Sequence, residues 1–258
     1  KQFFLYLLFF ILSPAVALQL GFDAGRFDQI TLVITVAILM LLTSKSKYTI
    51  FIVPILLTIG LLIHEAFLFI NIPIILTVIM HEIKKQNYKE SFFYQVMITI
   101  VIVLVALLML GSVGDETLDL LIVKAGYQNG EFGYLYILSR STLDNIRITL
   151  STYANIGTWV NILITSSVLA TYPYLYLTTF KRYMKKNLFI FLICISPFSI
   201  FIMFLLGIDF HRWFSLFIIN LFLVFPYLVK ELKIRNIYFS FTDLERRFVK
   251  LGYTLFIL

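Results

Sequence analysis

Long apolar runs alternate with short polar breaks along this chain. The runs cover residues 3–20, 30–43, 48–80, 91–111, 157–180, 188–206 and 213–229. Most are the length of one membrane crossing, which takes about 20 residues. The run 48–80 is too long for one. As a single helix it spans about 50 Å, against a hydrocarbon core of roughly 30 Å. Basic residues flank it on both sides, and equal flanks require an even number of crossings. The pattern therefore predicts two short helices, 48–63 and 66–82, with His64-Glu65 at the turn between them. Pro54 and Pro73 fall inside these helices as potential kinks. The expected fold is all-α, a polytopic transmembrane helix bundle of about eight crossings.

The first run begins at Lys1 and contains Ala15-Val16-Ala17, which imitates a signal peptide with its cleavage site. Apolar character continues past this point, so a retained first helix is expected. The chain starts without Met and ends in Thr254-Leu255-Phe256-Ile257-Leu258, which fits a fragment of a longer chain.

The breaks are of two kinds. One kind is basic: Lys45 and Lys47; Lys84, Lys85 and Lys89; Lys181, Arg182, Lys185 and Lys186; Lys230, Lys233 and Arg235. The other is acidic or mixed: Asp23 to Arg26, His64-Glu65, residues 112–156, and Asp209 to Trp213. Lys and Arg are retained on the cytoplasmic side during insertion. With the N-terminus inside, eight crossings put 16 of the 21 Lys and Arg inside and 5 outside. The expected location is the cytoplasmic (inner) membrane of a cell, as a multi-pass protein with a cytoplasmic N-terminus.

Residues 1–236 form the expected bundle, with 112–156 as its one long outer loop. Asp115 to Lys124 reads as a short helix on the membrane surface. Ser141-Thr142-Leu143-Asp144 has capping-box spacing and opens a second short helix through Tyr153. Residues 237–258 read as a basic amphipathic helix on the cytoplasmic leaflet, or as the start of a further crossing.

Composition narrows the class. The chain is 60% hydrophobic with a mean hydropathy of +0.95, more apolar surface than a soluble domain can hide. The net charge of +7 sits in short loops beside apolar runs, where topology explains it, so nucleic acid is not an expected partner. Cys194 is the one cysteine, which excludes an intramolecular disulfide.

The outer breaks carry the candidate chemistry. Asp-x-x-Arg occurs three times there: Asp23/Arg26, Asp144/Arg147 and Asp209/Arg212. Arg offers planar, bidentate donors suited to phosphate. The same spacing also serves a helix start, with Asp as cap and Arg as its i+3 partner. His64-Glu65 is the second candidate. Glu65 would be a general acid or base and His64 a proton shuttle; a hydrogen-bonded turn pair is the plain alternative. The chain has no His-Glu-x-x-His, because residue 68 is Leu68. His81 falls on the inner face, so no set of outer His ligands exists and no metal or cofactor is expected. Phosphate loops and nucleophile elbows are also absent. The expected shared site comprises His64, Glu65, Asp209, His211 and Arg212, with Arg26 and Arg147 at its rim.

The long loop 112–156 with Arg140 and Arg147, together with Gly207-Ile208-Asp209-Phe210-His211-Arg212-Trp213, resembles the bacterial O-antigen and capsular polysaccharide polymerases of the Wzy type. The resemblance is one of architecture across most of the chain. It implies glycosyl transfer at the outer face of the inner membrane from polyprenyl-pyrophosphate-linked sugars. Arg26, Arg140, Arg147 and Arg212, with Asp23, would bind the substrate. Glu65, Asp209, His64 and His211 would act in catalysis. Implied partners are membrane lipids, the polyprenyl-linked glycan and other polysaccharide-assembly proteins. Two further readings stand beside it. One is a C-type lipid-phosphate-sugar glycosyltransferase with Asp23 or Asp28 as base. The other is a non-enzymatic transporter or flippase.

Overall fold

A computed structural model describes residues 12–16, 19, 27–110, 120, 142–207 and 209–234. Helices joined by short turns make up the described residues, with no strand among them. Apart from the short helical turn Pro14–Val16, the helices are α1 (Phe27–Ser44), α2 (Thr49–Ile63), α3 (Phe67–Ile70), α4 (Ile72–Lys84), α5 (Glu90–Leu110), α6 (Thr142–Thr152), α7 (Ile156–Leu169), α8 (Thr171–Met184), α9 (Leu188–Ile195), α10 (Met203–Leu206) and α11 (Phe210–Glu231). A 3-10 segment, Ser196–Ile202, joins α9 to α10. All but Leu120 of the expected surface helix at 115–124, the capping residue Ser141, the tail 237–258 and most of the first run lie outside the described residues.

Among the described residues, four stretches are long and apolar enough to cross a membrane: Phe27–Ser44, Glu90–Met109, Leu188–Leu206 and Phe210–Glu231. A fifth results if α7 and α8, which meet at 49°, act as one bent span. The run 157–180 is therefore not the straight helix that its hydropathy predicts. α2, at 15 residues, reaches only about 22 Å at ~1.5 Å per residue.

The run 48–80 is broken where the basic flanks require. α2 ends at Ile63, His64 adopts an extended backbone (φ −157°, ψ 116°), and α3 begins at Phe67. The chain turns back tightly here. A Cβ on Gly60 would lie 2.5 Å from the Phe67 ring, so only glycine admits that approach. A second break separates α3 from α4 at Asn71, beside the potential kink at Pro73. Its cause is Pro73, which has no N–H to offer the carbonyl of Phe69. Ser199 Oγ donates to that carbonyl at 2.7 Å instead, and Asn220 Nδ2 donates to the carbonyl of Ile70 at 2.8 Å. Unsatisfied backbone groups are costly away from water, and these two side chains remove the cost.

α11 is the axis of the bundle. Of its apolar window 78% is buried, against 22% for Glu90–Met109 at the periphery. Phe222 and Phe225 of α11 pack edge-on against Tyr172 and Phe180 of α8, and Phe214 and Phe217 pack against Phe201.

These contacts sort the helix ends. Tyr88 donates to the carbonyl of Leu42 at 3.2 Å, Lys85 meets Glu231, and His81 lies against Phe189. The loops carrying Lys45, Lys47, Lys84, Lys85 and Lys181 to Lys186 thus share one end with the C-terminus of α11. The starts of α1 and α11 and the His64 turn share the other. Three helices close at the basic end with residues in the left-handed region, Lys45 (φ 55°), Gln86 (φ 61°) and Lys233 (φ 50°). The last two make the paired bonds of a Schellman cap, Asn87 N to Glu82 O with Gln86 N to Ile83 O, and Ile234 N to Val229 O with Lys233 N to Lys230 O.

Candidate functional site

Three elements deliver charge to the end opposite the lysines. Asp28 is the second residue of α1, Arg212 the third of α11, and His64-Glu65 occupies the turn after α2. Placement at helix ends lets ionisable side chains reach one another without crossing an apolar face.

Arg212 is the hub. Its Nε donates to Asp28 Oδ2 at 2.5 Å, Nη2 lies 3.0 Å from His64 Nε2, and Nη1 lies 3.7 Å from Asp209 Oδ2. The guanidinium also stacks 4.5 Å from the Trp213 ring. His64 Nε2 is 3.3 Å from Asp28 Oδ1, and its Nδ1 is 3.3 Å from Glu65 Oε2. Burial grades outward along this chain of groups. The side-chain exposures are 0% for Asp28, 13% for Arg212, 19% for His64 and 83% for Glu65. A buried carboxylate is thus linked through one imidazole to an exposed one.

One atom, His64 Nε2, stands between two partners. Bare, it accepts from Arg212 Nη2 and leaves Asp28 Oδ1 without a donor. Protonated, it donates to Asp28 Oδ1, and its contact with Nη2 becomes donor against donor. Burial lowers the pKa of His64, but hydrogen bonds to Asp28 and Glu65 and the charges of both outweigh it, raising the pKa from 6.5 to about 9. The protonated arrangement therefore prevails at neutral pH. The hydrogen bond from His64 in turn lowers the pKa of Glu65, against the opposing effect of its own partial burial, so Glu65 is ionised there.

Of the predicted shared site, the structure brings together His64, Glu65, Asp209 and Arg212. His211 is exposed and turns to Thr165 Oγ1 at 2.8 Å from its Nδ1. Arg147 is exposed on α6 and lies 3.6 Å from Asp144, its i,i+3 neighbour. Asp23, Arg26 and Arg140 lie outside the described residues. Asp28 is the member that the spacing pattern overlooked. Trp213 is 4% exposed, packed in the core rather than anchored at an interface.

A second polar group closes the basic end. Tyr227 donates to Glu82 Oε1 at 2.7 Å, so the contact of 2.8 Å between Tyr227 Oη and His81 Nδ1 has the imidazole as donor. Asn87 donates to the other oxygen of Glu82, and Lys85 to Glu231 Oε2 at 2.6 Å. His81, Glu82 and Glu231 present ligand atoms within 4.8 Å of one another. The Lys85 ammonium, also 3.7 Å from Glu82, already supplies the positive charge that a metal ion would bring.

The chain matches no family model, no curated protein and no solved structure.

Proposed function

We propose that this chain is a multi-pass protein of a bacterial inner membrane that transfers glycosyl units from polyprenyl-pyrophosphate-linked donors. In this reading the basic end faces the cytoplasm and the Arg212 end faces out. The eight crossings are the first run, α1, α2, α3 with α4, α5, α7 with α8, the stretch Leu188–Leu206, and α11.

One observation carries the proposal: an exposed carboxylate, Glu65, held from behind by His64 and through it by buried Asp28 and Arg212. Such an arrangement suits a general base that works beside lipid. The acceptor hydroxyl oxygen attacks the anomeric carbon of the donor as its proton passes to Glu65. The bond from that carbon to the pyrophosphate oxygen breaks, and the polyprenyl pyrophosphate leaves with the electron pair. His64 keeps Glu65 ionised and oriented. Arg212, shared by two carboxylates, is a positioning residue here rather than a free phosphate ligand. Neutralising the leaving pyrophosphate then falls, in this reading, to Arg26, Arg140 and Arg147. Of the two bases that a C-type transferase reading offers, Asp28 is fully buried against Arg212 and does not meet a substrate hydroxyl.

A second reading has its own observation. Arg212, Asn220, Tyr227 and Glu231 fall within about 100° of arc on α11, and each meets a polar partner along the length of the bundle. A polar face of this kind suits a proton- or cation-coupled transporter.

The deciding experiment uses the purified protein in liposomes. With a polyprenyl-pyrophosphate-linked oligosaccharide, the proposal expects release of free polyprenyl pyrophosphate and a longer glycan. An intact donor together with protein-dependent proton flux would overturn it in favour of transport.

A further inference from the structure

α8 and α9 form a hairpin, and a groove with a volume of ≈ 580 Å³ runs along it. Its walls are Tyr174, Leu177, Thr178 and Met184 of α8 and Phe191 of α9; Lys181 and Lys185 complete it. Residues 174, 177, 178, 181 and 185 follow the i, i+3, i+4 spacing of one helix face. The sequence therefore grades this face from aromatic and aliphatic at one end to cationic at the other.

Three properties define what fits. The first is length. From Tyr174 to Lys185 the helix rises about 16 Å, roughly half of a ~30 Å hydrocarbon core and so the depth of one leaflet. The second is charge. Lys181 and Lys185 are exposed, as are Arg182 and Lys186 beside them, and none of the four pairs with a carboxylate among the described residues. This differs from Lys85 at the same end of the bundle, which Glu231 and Glu82 neutralise. The third is direction. The lysines stand at the helix end that carries the other basic loops, where a lipid headgroup would sit, and the apolar wall leads from them toward the middle of the bundle.

We propose that this groove is a binding site for one anionic phospholipid, with its phosphate between Lys181 and Lys185 and an acyl chain along Tyr174, Leu177, Met184 and Phe191. Basic pockets between membrane helices select anionic headgroups by charge, and the apolar wall adds the area of a chain. Cations at the last turn of a helix also stabilise its dipole. That role needs no lipid and no groove, so the two accounts part in the experiment. The site is independent of the chemistry proposed for Glu65 and Arg212, which lies at the other end of the bundle.

Native mass spectrometry of the full chain, released from micelles doped with matched-chain phosphatidylglycerol or phosphatidylcholine, tests it. The wild type is expected to retain one phosphatidylglycerol and to retain phosphatidylcholine at least tenfold less. Lys181→Gln/Lys185→Gln should remove that preference. Leu177→Trp, which fills the groove and keeps both charges, should remove retention of either lipid. Soluble glycerol phosphate, with the headgroup but no chain, should not compete. Equal retention of the two lipids by the wild type would overturn the proposal without recourse to any variant. Unchanged retention in folded Leu177→Trp would overturn it too, leaving diffuse attraction of lipid to a basic surface.

Discussion

Arg212 Nε and Asp28 Oδ2 lie 2.5 Å apart although 184 positions separate them in sequence. The pair joins the first turn of α11, the axis of the bundle, to the first turn of α1. Asp28 has no exposed surface. A buried charge without its partner is far more costly than the pair, by about 3–5 kcal/mol. Asp28→Asn should therefore lower the thermal stability of the detergent-solubilised protein by a few kcal/mol. Asp28→Asn/Arg212→Met, which removes both charges, should recover much of the loss. A double variant as unstable as the sum of its parts would contradict the coupling.

The pH dependence follows from His64. Its pKa is raised in the folded protein, so its contribution to stability is complete below the unfolded value of 6.5 and disappears as pH rises through about 9. Thermal unfolding midpoints should fall across that window in the wild type. His64→Gln should flatten the profile there. An unchanged slope in His64→Gln would show that another group titrates.

Gly60 and Phe67 set the return turn. Phe67 is fully buried and has no room to swing away from a Cβ placed 2.5 Å from its ring. Gly60→Ala should destabilise by about 1–3 kcal/mol, as overpacking does, measured by thermal unfolding. A neutral result would mean that α2 and α3 separate more easily than their contact implies.

The Gly60 turn was legible in part. Length and two basic flanks located the break at His64-Glu65, because a 33-residue apolar run cannot lie flat across one bilayer. Tight packing of Phe67 on Gly60 gave no such signal. Pro73 marked a kink in the second helix, but not a full break at Asn71, since the donors that tolerate it, Ser199 and Asn220, come from remote helices. Local spacing correctly joined Asp209 to Arg212 and Asp144 to Arg147. It missed the stronger partner of Arg212, because a pair 184 residues apart leaves no periodic trace. Adjacent His211 and Arg212 looked alike in sequence. On a helix, neighbours point about 100° apart, which sends His211 toward α7 and Arg212 into the cluster.

Topology has its own test. Cys194 is fully buried, so introduced thiols on the surface report against a low background. Ser46→Cys lies at the basic end and Ser151→Cys, on α6, toward the other. A membrane-impermeant thiol reagent applied to intact cells should label position 151 and spare position 46. The reverse pattern would invert the proposed orientation.

The most direct test of the proposed chemistry is the rate of polyprenyl pyrophosphate release by Glu65→Gln in liposomes. Glu65 is 83% exposed, so the variant should fold; its charge supports His64, so rates are compared at matched amounts of folded protein, and the remaining loss reports on chemistry. Proton transfer to a positioned carboxylate contributes about 10²–10⁴-fold. The account predicts a loss of at least ~100-fold in rate, with Glu65→Asp partly active. Release near the wild-type rate by Glu65→Gln would contradict it and reduce the cluster to a clasp between α1, α2 and α11.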